Sequence, residues 1–305
     1  MKTKTAANAA SAATIACALT TVMSVAFAAP ASAQMMPGMD NTSGKLLLTG
    51  GVSQVEGAAG GGLTPWALIG GYGTREQIGG SAYYTHVDTD DFALDSFGGL
   101  IAINNRVEFS ISQQQFNLQD VGAALGLGSD FKIDVTTYGA KLRLFGDAIL
   151  EQDSWVPQVS VGVQYKDNSE DALVTALGAA DADGTDFYVS ATKLYLGQSL
   201  LLNGTVRFTK ANQFGILGHG STTNDDYEPQ FEASAAWLLN RNLAIGAEVR
   251  TKPDNLAGLA EDTAFDAFVA WAPTKNVSVT LAYADLGNIV VGDQKGVYAS
   301  LQVGF

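Results

Sequence analysis

An all-β transmembrane barrel, antiparallel and up-and-down with about 14 strands (12 being the alternative), is predicted by three features of this 305-residue sequence. They are an export signal at one end, a succession of alternating apolar and polar segments, and an aromatic C-terminus.

The export signal has three parts. Lys2 and Lys4 precede an apolar stretch from about Ala12 to Phe27, and the small residues Ala31, Ser32 and Ala33 follow, as in a cleavable Sec signal. Thr14, Thr20, Thr21 and Ser24 interrupt that stretch and Pro30 stops it, which argues against a retained membrane helix. Residues 1–33 are therefore expected to be removed, 34–43 to form a short periplasmic segment, and 44–305 to form the barrel. Cys17, the only cysteine, lies in the removed part, so the mature chain is expected to lack disulfides and thiolate ligands. The full chain carries a net charge of −14, and the signal takes away lysines only. So acidic a protein lacks the basic footprint that nucleic acid requires. No later stretch reaches the roughly 18 apolar residues of a spanning helix, so any membrane crossing has to be made by a closed sheet.

The clearest strand is 156–166, where Pro157, Val159, Val161, Val163 and Tyr165 alternate with Gln158, Ser160, Gly162, Gln164 and Lys166. The same period recurs in 202–210, 229–239 and 276–284. Applied throughout, it predicts strands centred near residues 51, 69, 82, 99, 111, 138, 161, 191, 206, 234, 247, 268, 281 and 301. Many run to about ten residues, the length of a tilted bilayer span. Joints after even-numbered strands are mostly tight (74–77, 104–105, 240–242, 273–275), whereas 117–130, 167–185, 212–228, 252–262 and 286–295 are long and polar. Short periplasmic turns opposite long outer loops are the asymmetry of bacterial membrane barrels.

At the C-terminus, Val297, Ala299, Leu301, Val303 and Phe305 share one face, opposite Tyr298, Ser300 and Gln302. Val297, Leu301, Val303 and Phe305 are the candidate insertion signal, read by the barrel-assembly machinery. Trp155, Trp237, Trp271 and Phe305 fall at expected periplasmic strand ends, and Tyr165, Tyr188, Phe208, Phe231 and Tyr283 nearer the outer ends, as two interfacial girdles would. If the apolar face meets lipid, the opposite face lines the lumen. It includes Glu108, Lys141, Arg143, Lys193, Arg207, Glu232, Glu248 and Arg250. Two arrangements of these charges fit: cross-strand pairs bracing a partly filled interior, or a ladder of Lys141, Arg143, Lys193 and Arg207 drawing anionic solutes through a narrow channel.

Other motifs carry less. Asp181, Asp183 and Asp186 around Gly184 resemble part of a calcium loop but lack its spaced bidentate Glu, so no metal is assigned. The glycines of 50–62 precede no helix and no Gly-Lys-Ser/Thr, so they imply close bending in a first hairpin rather than a nucleotide loop. Residues 169–179 have room for one or two helical turns. His86 and His219, the only histidines, show no Ser-His-acid spacing, so catalytic residues and a cofactor are not expected.

The strings GKLLLTGGVSQVEGAAGGGLTPWALIGGYGT (44–74), QDSWVPQ (152–158), TDFYVSATKLYLGQSLLLNG (185–204) and KPDNL (252–256) are similar to those of an uncharacterised proteobacterial family of outer-membrane proteins, domain of unknown function 3034. The resemblance spans nearly the whole expected mature chain and implies an outer-membrane location without carrying any active residues. Outer-membrane lipid, lipopolysaccharide and a small solute of unknown identity are the remaining expected partners. The expected role is a channel for small hydrophilic solutes, anionic ones included; the alternative is a structural or interaction protein with a filled lumen and functional outer loops, and a barrel-embedded enzyme is the remote third reading.

Overall fold

The computed structural model of the protein describes residues 45–305, so the expected signal and the 34–43 segment lie outside the described residues. The described chain forms one closed antiparallel barrel in which sequence neighbours pair and β12 returns to β1. Its strands are β1 (Ile78–Thr89), β2 (Ala93–Ile103), β3 (Val107–Asn117), β4 (Lys132–Phe145), β5 (Gln158–Asn168) and β6 (Gly184–Tyr195). They continue with β7 (Leu200–Thr209), β8 (Glu228–Asn240), β9 (Leu243–Arg250), β10 (Ala264–Thr274), β11 (Val277–Asn288) and β12 (Asp293–Gly304).

The count is therefore 12 and not 14. The two segments expected as strands near residues 51 and 69 are bends and isolated bridges. Their apolar alternation is real, but instead of a strand ladder Val52 O, Ala67 N–H and Gly70 N–H bond to side chains of the barrel wall, while Val52 and Trp66 N–H bond to carbonyls of the segment itself. Glycine also weakens strand pairing there while allowing close approach: a Cβ on Gly61 would run into the Glu248 carboxylate.

Both ends of the sheet lie at one rim, the turn end, where Ser81 pairs with Gly304. The connections there, 104–106, 196–199, 241–242 and 275–276, are tight; only 146–157 is long. At the opposite rim, the loop end, 118–131, 169–183, 210–227 and 251–263 are long, whereas 90–92 and 289–292 are short. Short helices sit in three of the long loops: α1 (Gln119–Ala124), α2 (Asp171–Ala176) and a 3₁₀ turn at Asn212–Gly215. The expected 169–179 helix is α2, shorter at both ends.

The period-2 alternation gives the barrel two unlike faces. Outward positions such as Phe97, Ile101, Phe109, Ile111, Val189, Val269 and Leu281 are exposed and apolar. Inward positions such as Ser81, Thr85, Ser112, Ser160, Ser190, Thr205 and Thr280 are polar and buried. An apolar exterior this continuous is stable only against hydrocarbon, so the barrel is built to span a bilayer. Trp237, Trp271, Phe305, Tyr165, Phe208, Phe231 and Tyr283 belong to the exterior, and Trp155 stands exposed on the 146–157 connection. Tyr188 does not belong to a girdle: its position on β6 points inward, it is 2 % exposed, and its ring lies under the Arg207 guanidinium at 5.3 Å. Val297 and Phe305 are exposed on the outer face, but Leu301, between Tyr84 and Val279 in the register, is buried.

Candidate functional site

Residues 45–77 form a finger inside the barrel. It occupies the turn end where Tyr72 N–H donates to the Phe305 carbonyl (2.9 Å), reaches toward the loop end at Glu56, and returns through Trp66 to β1. Bridges Ser53 to Gly60 and Gly60 to Pro65 fold it on itself. Ser53, Gln54, Ala59, Trp66, Ala67 and Ile69 are each 0–1 % exposed, and so are Glu108, Ser160, Ser190, Arg207 and Thr280 on the wall facing them. A water-filled bore would expose both sets, so the lumen is occluded at mid-height.

The finger is held by polar contacts to β1–β9, β11 and β12. Pro65 O accepts from Ser190 and Thr205 (3.2 and 3.0 Å), and Ala67 O from Gln158 and Ser160 (both 2.6 Å). Val55 O accepts from Tyr83 and Ser96, Val52 O from Thr280, and Gly61 O from Tyr298. Asn203 on β7 also donates to Pro65 O, while Thr192 on β6 accepts the Ala67 N–H and Ser234 on β8 accepts the Trp66 indole N–H. A typical intramolecular hydrogen bond is worth about 0.5–1.5 kcal/mol net, so the summed contacts seat the finger firmly without a covalent tie.

Charge organises the seat. Glu108 and Lys141 face each other across β3 and β4 (3.0 Å, both side chains 1 % exposed). Lys141 donates to the carbonyls of Ala59 (3.2 Å) and Leu68 (2.9 Å), while Glu108 accepts from the N–H of Ala59 (3.2 Å) and Gly70 (2.7 Å). Nearer the loop end, Glu56 of the finger enters a group of three cations and two wall carboxylates. It lies 2.7 Å from Arg250, 2.5 Å from Lys166 and 3.6 Å from Arg207. Asp186 takes Lys166 (2.9 Å) and Arg207 (3.2 Å), and Glu232 takes Arg207 (2.5 Å) and Arg250 (3.5 Å). Three cations thus alternate with three acids, one supplied by the finger. Glu248 accepts from Leu63 N–H (2.8 Å), Thr64 (2.6 Å) and Ser234 (2.6 Å). Asp266 lies opposite it in the register with both carboxylate oxygens unpartnered.

Of the eight residues read as pore-lining, Glu108, Lys141, Arg207, Glu232, Glu248 and Arg250 converge on the finger. Arg143 and Lys193 do not. Arg143 holds Gly146 O (2.9 Å) and Asp147 (3.3 Å), and Lys193 donates to the carbonyls of Asp147, Glu151 and Val156. These two fix the 146–157 connection at the turn end, so the four cations form no continuous ladder. Lys166 and Asp186 are members that sequence reasoning missed. Lys166 sits on the polar face of the clearest strand, while Asp186 was assigned to a loop although β6 begins at Gly184. Glu56 was hidden in a segment expected to be a strand.

The loop end is roofed by 210–227 and 251–263. Gln213 and Phe214 both hold positive φ (44° and 64°), fixed by the Glu261 carboxylate, which accepts the Gln213 N–H at 3.0 Å, and by Gln213 donating to Asn288 O at 2.6 Å. Lys252 donates to the Gln213 side chain (2.9 Å) and lies 4.0 Å from Glu261. Burial pulls the Lys252 ammonium down to about 8 and pushes the Glu261 carboxyl up to about 7. The histidines are apart: His86 pairs with Asp95 on the outer face (2.7 Å), and His219 is buried against Ala182 O (3.3 Å).

No curated protein matches the sequence. Among solved structures, the KdgM porin shares 11 % identity at TM-score 0.49, with 74 % of this chain and 99 % of that chain covered. The NanC porin shares 9 % at 0.46 (74 % and 98 %), and the COG4313 outer membrane channel from Pseudomonas putida F1 shares 13 % at 0.44 (74 % and 94 %). Likeness at that level carries no argument about activity. The family comparison does decide membership: a family profile matches residues 49–302, finger and barrel together, and the chain belongs to the family described as "Protein of unknown function (DUF3034)".

Proposed function

We propose that the protein is an outer-membrane β-barrel, exported through the Sec pathway, whose lumen is closed at rest by its own N-terminal finger. The observation that carries this reading is the mutual burial of finger and wall at mid-height, with Glu56 completing the ion group of Lys166, Arg207 and Arg250. The apolar exterior meets lipid and lipopolysaccharide, and the C-terminal strand ending in Phe305 is offered to the assembly machinery. No catalytic step belongs to this reading.

A channel role for small hydrophilic solutes follows once the finger shifts, because the wall behind it is polar. Six wall cations (Lys141, Arg143, Lys166, Lys193, Arg207, Arg250) then stand against five wall acids (Glu108, Asp186, Glu232, Glu248, Asp266), all of them buried except Arg143, whose side chain is 11 % exposed. Departure of Glu56 leaves the three cations near the loop end undercompensated, which favours anions there. In planar bilayers the full-length protein is expected to be silent. Glu56→Lys, which sets a fourth cation among three, is expected to conduct, and Glu56→Gln to show anion-selective reversal potentials. Steady openings of the unaltered protein would overturn the closed lumen. A folded but silent Glu56→Lys, verified by its heat-dependent gel mobility, would overturn gating and leave a permanently filled barrel.

A further inference from the structure

Near the loop end the inner wall changes character. Val87, Leu94, Phe116, Ile133 and Val135 replace the serines and threonines found lower on the same strands, and all are buried. Packing there leaves a cavity of about 60 Å³, against the ~10–15 Å³ that a single water needs. Leu94 and Phe116 line it from β2 and β3, Ala284 and Leu286 from β11, Leu63 from the finger and Phe214 from the roof.

The polar groups at its margin have partners within the protein. Arg250 is engaged with Glu56 (2.7 Å), Tyr298 with Gly61 O (3.1 Å), and Gln213 with Lys252 and Asn288. A water inside would find few partners, and an apolar cavity of this kind stays dry and gains contacts when an apolar guest fills it. The roof supports the same conclusion. Two consecutive non-glycine residues, Gln213 and Phe214, are held in left-handed conformations that cost about 1–3 kcal/mol each, a strain that concentrates at ligand sites. It places the Phe214 ring on the cavity and 4.3 Å from the Arg250 guanidinium.

We propose that this cavity is a binding site for a small, uncharged, apolar molecule of a few heavy atoms, smaller than the one-ring guest that a dry cavity of about 150 Å³ takes, received from the loop end. The site rests on the closed-lumen reading, because the finger supplies its floor through Val55 and Leu63. A charged guest is disfavoured, since it would have to break the Glu56 and Arg250 pair to find a counter-ion.

Xenon is the probe, applied at rising pressure to the full-length barrel in lipid nanodiscs while methyl NMR signals are followed. Saturable shifts are expected at Leu94, Leu286 and Ile289, with only a linear drift at Ile111 on the lipid face. Ala284→Phe, which fills the cavity, is expected to abolish the saturable shifts; Leu94→Phe serves where the first variant loses its heat-dependent gel mobility. Linear drift at all four methyls of the unaltered protein would mean partition into lipid only and would overturn the site. Saturable shifts that persist in a folded filled variant would overturn it too. Planar-bilayer silence of the same preparation separates the two readings. A silent barrel that ignores xenon sinks the cavity alone, whereas a conducting one sinks the finger and the cavity with it.

Discussion

At mid-height the barrel presents Glu108, Lys141, Ser160, Ser190, Thr205 and Glu248 to its interior; toward the loop end β1–β4 present Val87, Leu94, Phe116, Ile133 and Val135. The first region is a polar wall that needs an occupant with matching donors and acceptors, and the finger supplies them. The second is closer to the core of a soluble protein, packed against roof residues such as Ile216, Leu217 and Leu256. One sheet, with one alternation, thus holds two interiors of different solvent character. The polar one fixes a piece of the chain in a single register, while the apolar one tolerates an unfilled volume.

If the regions differ in this way, they should respond to different injuries. The largest effect is expected at Lys141. Its removal leaves Glu108 buried without a cation and strips the finger of two carbonyl contacts, so Lys141→Ala is expected to destabilise the barrel by about 3–5 kcal/mol in urea unfolding from lipid vesicles. Replacing both partners, Glu108→Gln with Lys141→Met, should cost less than the single change; an equal or larger loss would mean that the pair is not what anchors the finger. A smaller effect belongs to the apolar region. Ile133, 1 % exposed, loses one methylene in Ile133→Val, and about 1 kcal/mol is expected in the same assay. A value near zero would mark the outer interior as loosely packed all round.

The smallest effect is local and depends on pH. Lys252 and Glu261 face Arg250, Asp254, Asp262 and Asp285 at the loop end. As pH rises from 4.5 toward about 7, the unfolded loop gives up its Glu261 proton before the folded one does, and stability falls. As pH drops from 10.5 toward about 8, the unfolded loop takes up a proton on Lys252 first, and stability falls again. The roof is therefore expected to open most readily between about pH 7 and 8, read from hydrogen exchange at Gln213 and across 251–263 after correction for intrinsic rates. Glu261→Gln should remove the acidic limb of that profile. A limb that survives in this variant would assign the titration to another group.

Much of the barrel was legible because its physics is periodic. The alternation in 156–166 and 276–284 gives β5 and β11 and puts Lys166 and Thr280 on the inner face without further information. The sorted connections followed from the same reading, with two exceptions: 286–295, expected as a long outer loop, is reduced to 289–292 because β11 and β12 run on to Asn288 and Asp293, and at 146–157 Arg143 and Lys193 hold a long segment at the rim where short turns were expected. The finger was not legible, for a specific reason. Its alternation between small and larger residues imitates a strand, and what makes it a plug is the set of complementary groups on distant strands, such as Glu108 for Gly70 and Thr205 for Pro65. Sequence spacing carries no trace of such long-range matches. Tyr188 shows the converse limit: its place near a strand end suggested a girdle, but parity within β6 turned it inward onto Arg207.

The carbonyl of Phe305 accepts both Tyr72 N–H, at the finger's exit, and Gly80 N–H, on the first strand. The last residue of the chain is thus the shared fastener of the seam and the stopper. A barrel with β12 closed on β1 and the finger still outside would lack one of these two bonds and would have 33 residues left to pass through a finished rim. Seam and stopper thus depend on one acceptor, and the stretch just ahead of β1 is tied to the end of β12 as directly as β1 itself.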